Sequence, residues 1–571
     1  MKSSFFHRYW VVLSGIVLFS LILVVKLFFV QILHGNAYSE SADRQYATPS
    51  SNIFERGTIF FSGKDGHLIS AATQTTGYKI AIDPTKIIDA EKVYQQLSAT
   101  ITLDYDDFIA RAKKTNDPYE EIATHLSKEK ADTVSALKIT GVNIFKEKWR
   151  FYPGSNMASH ALGFVGYKGD ELGGRYGLER QYDGILARNN DNPYINFFAE
   201  VFSNLQKTLF ESDKKEGDIV TTIEPQVQNF LEKKLTEVKD KYSIDSIGGI
   251  IMNPQDGSIY ALSVKPDFDP NNFSQVKNSS IFTNSLVEGV LEFGSVVKPL
   301  VMAGALNMGV VTPEMTYNDK GSVIVEDYEI FNFDKKGRGP GTSMQEVLNQ
   351  SLNTGMVFVE KKMGKENLRD YLLAYGIKDK TGIDLPNETS GLVSNILTSP
   401  REIEYANAAF GQGIALTPVE LIRALASLAN SGNLVVPHII KEIKYNDGTS
   451  KVMLYPSTPT KITKQTAEEI TRMLVNVMDK AIKGGAGKLE HFSVAVKTGT
   501  AQVADSVNGG YYEDRHNHSF FGYFPAYDPK FIVLLYAVNP KGIRYAAETW
   551  SDPFLDITKF LLNYYEVSPD R

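Results

Sequence analysis

The sequence predicts an α+β protein of several folding units behind one apolar N-terminal segment. Its 571 residues exceed the roughly 100–200 of a single domain several times over. Trp10–Val25 (WVVLSGIVLFSLILVV) carries no charge. From about residue 215 onward, strand-like runs stand at both ends with helical patterns between them, the arrangement of a mostly antiparallel sheet with a helical inset. With 43% hydrophobic and 22% charged residues, the chain is neither mainly disordered, collagen-like nor a coiled coil. Sixty Lys+Arg against 67 Asp+Glu give a net charge of −7, which does not suit a nucleic-acid partner. Cysteine is absent, excluding disulfides, thiolate-held zinc, iron–sulfur clusters and a thiol nucleophile. A mean hydropathy of −0.20 leaves room for one membrane span only.

That span is first in order. Trp10–Leu33 as a helix would be about 36 Å long, enough for a hydrocarbon core of about 30 Å. Lys26, near its far end, can snorkel toward the interface. Lys2 and Arg8 precede the span and keep Met1–Arg8 in the cytoplasm, so the remainder is exported. The competing reading is a cleaved signal peptide, but NAYSESA is a poor cleavage site. Next, Gly77–Pro84 alternates like a strand ending at a proline, and Asp104–Lys138 is charged and helical in character. Glu211–Asp218 (ESDKKEGD) reads as a linker. A strand and an amphipathic helix follow, up to Tyr242. IGGIIMNPQDGSIYALSVKP then reads as a hairpin around Asn253–Gly257. SVAVKTGTAQV, HSFFGYFPA and KFIVLLYAVN are three more strands, and ITKFLLNYYEV is a final helix.

Three short motifs carry chemistry. In Ser295-Val-Val-Lys298, positions i and i+3 share a helical face, so the Lys298 amine lies within reach of the Ser295 hydroxyl. A serine needs a base to become a nucleophile, and a lysine serves only if burial or other cations lower its pKa. Pro299 fits a first helical turn, which puts Ser295 at a helix N-terminus. The strings Ser127–Lys130, Ser212–Lys215 and Ser274–Lys277 share the spacing but sit in polar sequence and read as surface. Ser351-Leu352-Asn353 offers a hydroxyl to pass a proton and an amide to hold a peptide. Ser50–Asn52, Ser431–Asn433 and Ser506–Asn508 repeat it and read as caps or turns. Lys497-Thr498-Gly499-Thr500 lies in a strand whose edge can present Lys497 and Thr498 to a carboxylate, with Gly499 admitting a substrate backbone. Its copy Lys380-Thr381-Gly382 is in loop-like sequence and reads as structural. His516-x-His518 is the one close histidine pair and reads as loop residues. No metal and no cofactor are expected.

The ordered triplet resembles the penicillin-recognising serine transferases and hydrolases. The flanks narrow the likeness to class B penicillin-binding proteins. Arg56-Gly57 with Asp65-Gly66-x-Leu68 resembles their segment after the anchor. Arg150-x-Tyr152-Pro153, His160-x-Leu162-Gly163 and Gly177-Leu178-Glu179-x-x-Tyr182-Asp183 resemble their non-catalytic pedestal. Thr381–Pro386 and Gly411-Gln412-Gly413 with Thr417-Pro418 resemble their transpeptidase domain. The resemblance implies a cytoplasmic tail over 1–8, a transmembrane helix over 9–33, an elongated pedestal or dimerisation domain over 34–210 and a penicillin-binding transpeptidase domain over 211–571. Three departures stand out. Phe293 replaces the usual proline and Val496 the usual glycine, both expected to reshape the cleft rim and alter β-lactam affinity; Phe60–Lys64 replaces the usual stretch after Arg-Gly.

The resemblance further implies an activity, D,D-transpeptidation of peptidoglycan. Ser295 would attack the penultimate D-Ala of a stem peptide, with Lys298 as base. Ser351, with Lys298 or Lys497, would relay a proton to the leaving D-Ala. Asn353 would bind the substrate amide, and Lys497 and Thr498 its terminal carboxylate. The N–H groups of Ser295 and Thr500 would form the oxyanion hole beside Gly499. The expected partners are stem peptides (D-Ala-D-Ala donors and amine acceptors), β-lactams, the membrane and a polytopic glycan polymerase. A septal role is expected over lateral-wall synthesis. The alternatives are a D,D-carboxypeptidase or β-lactamase, a β-lactam sensor (which eight cytoplasmic residues could not serve) and an idle wall-synthesis scaffold.

Overall fold

The computed structural model describes residues 55–571 except 115, 169–170, 189–214 and 506–508, together with Phe19 and Lys26. Apart from those two residues the expected membrane helix Trp10–Leu33 lies outside the described residues. No helix among the described residues is long and apolar enough to cross a membrane. Two compact units are formed, the smaller chiefly by Thr75–Trp149 and the larger by Arg56–Gln74, Arg150–Arg188 and the chain from 215 onward.

In the smaller unit the end of strand Leu68–Ile82 pairs antiparallel with Glu120–Leu126, Tyr78 opposite Leu126 and Ile82 opposite Glu120. Helices Ala90–Ser98, Tyr105–Ala112 and Lys128–Ala136 begin at Asp89, Asp104 and Ser127, each side chain accepting an otherwise orphaned backbone N–H. The Ser127–Lys130 string is therefore a helix cap. Ile80, Ile82, Val93, Leu97, Phe108 and Val134 form the core. The stretch expected to be helical through Asp104–Lys138 is thus interrupted by a strand. Pairing with Tyr78–Ile82 overrides the charged, helix-like composition there.

The larger unit contains the antiparallel sheet that the sequence predicts from about residue 215 onward. Helix α1 (Pro225–Tyr242) leads into strands β1 (Ser246–Met252) and β2 (Ile259–Lys265). Helices α2 (Lys298–Asn307), α3 (Asn353–Met363), α4 (Pro418–Ala429) and α5 (Lys464–Lys480) follow. The chain returns as β3 (Ala495–Ala504), β4 (Tyr511–Phe524) and β5 (Phe531–Val538) and ends in α6 (Ala546–Tyr564). The antiparallel order is β3-β4-β5-β1-β2, so β3 is an edge strand. Helices α1 and α6 pack together through the stacked rings of Phe230 and Phe560, 4.1 Å apart. Helix α5 packs on β3, and α4 on β5 and β1. Every residue of α4 is buried, and a Thr417/Glu420 capping box with Pro418 in the first turn starts it. Gly217 and Asp218, expected to close a linker, instead open strand Gly217–Thr221, which lies parallel to Ile59–Ser62 with Ile59 opposite Ile219.

Three sequence motifs converge on one buried ion cluster in this unit. Glu179 is fully buried and takes Nε of Arg56 (2.5 Å) and Nε of Arg150 (2.6 Å), with the Tyr152 hydroxyl at 3.2 Å. Arg56 also donates to Asp183 (2.7 Å), and Arg150 to the Gly57 carbonyl (2.7 Å). A buried carboxylate is tolerated only when charge and hydrogen bonds surround it. That explains why Arg56-Gly57, Arg150-x-Tyr152 and Glu179-x-x-x-Asp183 occur together.

Candidate active site

The Ser295 turn forms the first wall. Gly294–Val297 is a single 3₁₀ turn that runs into α2, with Pro299 in its first turn as expected. Residues Lys298 to Ala305 are all buried, so the Lys298 amine is withdrawn from solvent. The turn is pinned from three sides. The Phe293 carbonyl accepts from Ser519 Oγ (2.8 Å), Gly294 N–H donates to the Gly411 carbonyl (3.1 Å) and Lys298 N–H to that of Ser295. Gly411 (φ +82°) abuts the Gly294 carbonyl and Gly499 abuts that of Phe293, so a Cβ at either would overlap backbone.

The second wall is the Ser351–Asn353 turn at the start of α3. Ser351 is held at φ +54°, a left-handed conformation rare for serine. Its N–H bonds to Leu348 and that of Leu352 to Val347. Lys298 Nζ donates to the Ser351 carbonyl (2.7 Å) and to Asn353 Oδ1 (2.8 Å), and stands 3.3 Å from Ser351 Oγ. Asn353 Nδ2 in turn donates to the Phe331 carbonyl (3.0 Å). Behind it lies a knot the sequence did not announce. The buried Asp319 carboxylate accepts from Asn332 Nδ2 (3.0 Å), Thr354 Oγ1 (2.8 Å) and the N–H groups of Gly321 and Arg338, while Asn332 Oδ1 takes Thr354 N–H. No short motif marks these residues; a buried acid before a Gly turn is their only sequence signal.

The third wall is β3. As an edge strand it leaves alternate backbone groups unpaired and open to an extended peptide. Lys497, 1% exposed, reaches across to Ser351 Oγ (3.0 Å) and to the Thr498 carbonyl (3.1 Å). Thr500 Oγ1 accepts from Ala546 N–H (3.1 Å); the half-buried Thr498 hydroxyl makes no hydrogen bond among the described residues. Lys298, Ser351, Asn353 and Lys497 therefore meet, with Ser351 Oγ between two lysine amines, and the Ser295 turn packs against β3 beside them. The Ser295 hydroxyl has no hydrogen-bond partner among the described residues. Burial, and secondarily the charge of Lys497, hold the Lys298 ammonium far below the usual lysine range. Burial pushes Lys497 down to about 7. An amine so placed can take a proton at neutral pH. No carboxylate hydrogen-bonds to Ser295, Lys298, Ser351 or Lys497 among the described residues.

Several expectations are corrected here. Phe293 is buried at 3% exposure with its ring edge-on to Tyr536, and Val496, on the face of β3 opposite to Lys497, is fully buried. Neither side chain reaches the rim. His516 and His518 lie on β4 rather than in a loop. His518 is fully buried between Thr549 Oγ1 (2.8 Å) and the Arg544 carbonyl (3.0 Å) and supports the far side of β3. The Thr381 copy is tied by its hydroxyl and N–H to Glu388, away from the three walls. No metal-holding cluster exists among the described residues.

A family model described as the penicillin binding protein transpeptidase domain matches residues 247–557, and one described as the penicillin-binding protein dimerisation domain matches 55–222. The chain is 30% identical over 545 residues to stage V sporulation protein D of Bacillus subtilis (strain 168), covering 93% of this chain and 81% of that protein. It is 24% identical over 577 residues to peptidoglycan D,D-transpeptidase FtsI of Buchnera aphidicola subsp. Schizaphis graminum, covering 99% and 96%. The solved penicillin binding protein 2X from Streptococcus thermophilus shares the fold, with a TM-score of 0.71 at 22% identity over 90% of this chain and 81% of that one.

Proposed function

The chain belongs to the class B penicillin-binding proteins, and from that membership we propose how its residues divide the work of a peptidoglycan D,D-transpeptidase. The protein is a serine-type transpeptidase acting on stem peptides and a receptor for β-lactams. The observation that carries the assignment is the convergence of Lys298 and Lys497 on Ser351 Oγ beside the Ser295 turn.

Ser295 Oγ attacks the carbonyl of the penultimate D-Ala while its proton passes to neutral Lys298 Nζ. The oxyanion is held by the N–H groups of Ser295 and Thr500. On collapse the C–N bond breaks, and the departing D-Ala amine takes a proton relayed from Lys298 through Ser351 Oγ, with Lys497 holding that hydroxyl. Asn353 positions the substrate amide. Lys497 and Thr498 take the terminal carboxylate, and Gly499 leaves room for the peptide backbone. An acceptor amine then attacks the ester, gives its proton to Lys298 and restores Ser295. A β-lactam enters the first half-reaction and stays, because its leaving nitrogen remains tethered.

The proposed organisation is an anchor over 9–33 with 1–8 in the cytoplasm, a pedestal over 34–210 and the transpeptidase domain over 211–571 outside the membrane, working beside a polytopic glycan polymerase. The supports are the uncharged run Trp10–Val25 and the Lys2/Arg8 asymmetry. A septal site of action is proposed over the lateral wall on the anchor-plus-pedestal plan that the sequence implies.

Labelling the full chain with a fluorescent penicillin, followed by peptide mapping, tests the site. The expected adduct is on Ser295 and is lost in Ser295→Ala; an adduct elsewhere overturns the assignment. Dimeric muropeptides are the expected product, whereas free D-Ala alone would make the protein a carboxypeptidase.

A further inference from the structure

We infer that Glu292, just ahead of the nucleophile turn, is a positioning residue that holds that turn against the β3–β4 hairpin and so sets the oxyanion hole. The inference rests on the Ser295-centred reading above. In that reading the two N–H groups of the hole come from different elements, one from the Ser295 turn and one from Thr500 on β3. Their spacing serves the oxyanion only while turn and hairpin keep one fixed relation. The Ser519–Phe293 bond fixes that relation at one residue. Glu292 fixes it at the residue before.

The half-buried Glu292 carboxylate accepts from the Tyr511 hydroxyl, which stands 3.1 Å from each of its oxygens. Tyr511 opens β4 and its backbone lies opposite Ala504, the last residue of β3. The Gly413 N–H faces the same carboxylate. Gly413 belongs to the segment whose Gly411 carbonyl takes Gly294 N–H, and Leu291 exchanges both backbone bonds with Leu416 at 2.9 Å. One carboxylate thus gathers the nucleophile turn, the Gly411–Gly413 segment and the hairpin. The fit between turn and hairpin is close: a Cβ on Gly294 would stand 2.8 Å from the Thr500 carbonyl oxygen. Partial burial raises the Glu292 carboxyl above its ordinary range, countered by Gly413 N–H and the Tyr511 hydroxyl.

The test splits the acylation of Ser295 by benzylpenicillin, in the full chain, into the dissociation constant of the first complex and the rate constant of the covalent step. Tyr511→Phe and Glu292→Ala should each slow the covalent step about tenfold and leave the dissociation constant unchanged. That is less than the 10²–10³-fold of deleting an oxyanion donor outright. The double variant should be no slower than either single one, because both remove the same bond. Glu292→Gln, which keeps an acceptor oxygen at the same reach, should retain most of the rate. Tyr511→Phe removes one oxygen from a partly exposed residue and guards against misfolding of the alanine variant. A folded Tyr511→Phe protein with the wild-type covalent rate overturns the inference. So does a loss of about a hundredfold in the double variant, or a loss confined to the dissociation constant. Each of these leaves the Ser295 assignment standing, whereas a wild-type chain not acylated at Ser295 overturns both.

Discussion

Ser351 holds its hydroxyl between two amines that cannot both be protonated cheaply in so dry a site. Lys298 is the more strongly depressed, by burial and then by its neighbour's charge. Acylation should therefore rise with pH through the Lys298 titration and level off above it, measured as the rate of β-lactam acylation against pH. Lys298→Ala should lower that rate by about 10²–10⁴-fold and flatten its pH profile. The same burial has a stability signature at Lys497. Its folded pKa of about 7 lies below an unfolded value of about 10.4, so between them the unfolded chain binds the extra proton. Stability is gained as pH rises through this window and lost as pH falls through it, by about 1.4 kcal/mol per unit. Lys497→Met should thus raise the thermal midpoint more at pH 7 than at pH 10. An equal effect at both would show that the amine is not the titrating group.

The elements differ in how far sequence exposed them. The Ser295 turn, the Ser351 turn and β3 were legible because their chemistry demands residue types at fixed spacing. The hairpin β1–β2 was legible because Asn253–Gly257 is turn sequence between apolar runs, and Gly257 does take φ +88°. Strand Glu120–Leu126 was not, since its formation depends on a distant partner rather than on its own residues. Nor was the Asp319 knot, whose members come from three segments of ordinary polar sequence. Asp319→Asn would set an amide N–H against existing donors and should cost about 1–3 kcal/mol. Acylation should slow with it as α3 and Asn353 lose their anchor, readable by denaturant unfolding alongside acylation kinetics. Glu179→Gln tests the other buried cluster. With Arg150 left without a carboxylate partner and Arg56 keeping only Asp183, the loss should be about 3–5 kcal/mol, while any protein that remains folded should still acylate at Ser295.

At the scale of the whole molecule, the α+β architecture followed from the distribution of strand and helix patterns alone. The division into units did not. Residues 56–74 and 150–188 fold with the larger unit although 75–149 intervene, because the Arg56–Arg150–Glu179 cluster joins them. A site of action along the cell is a property of the entire protein. A fluorescent fusion of the full chain should mark the division septum in growing cells, and an even signal along the side wall would reverse the septal reading.

The backbone contacts at the Ser295 turn also decide where evolution has latitude. Gly411 and Gly499 touch the carbonyls of Gly294 and Phe293 with no space for a side chain, so the floor of the cleft is closed to point mutation without loss of the enzyme itself. Under antibiotic selection, escape variants should collect instead on exposed side chains around the cleft, away from these backbone contacts.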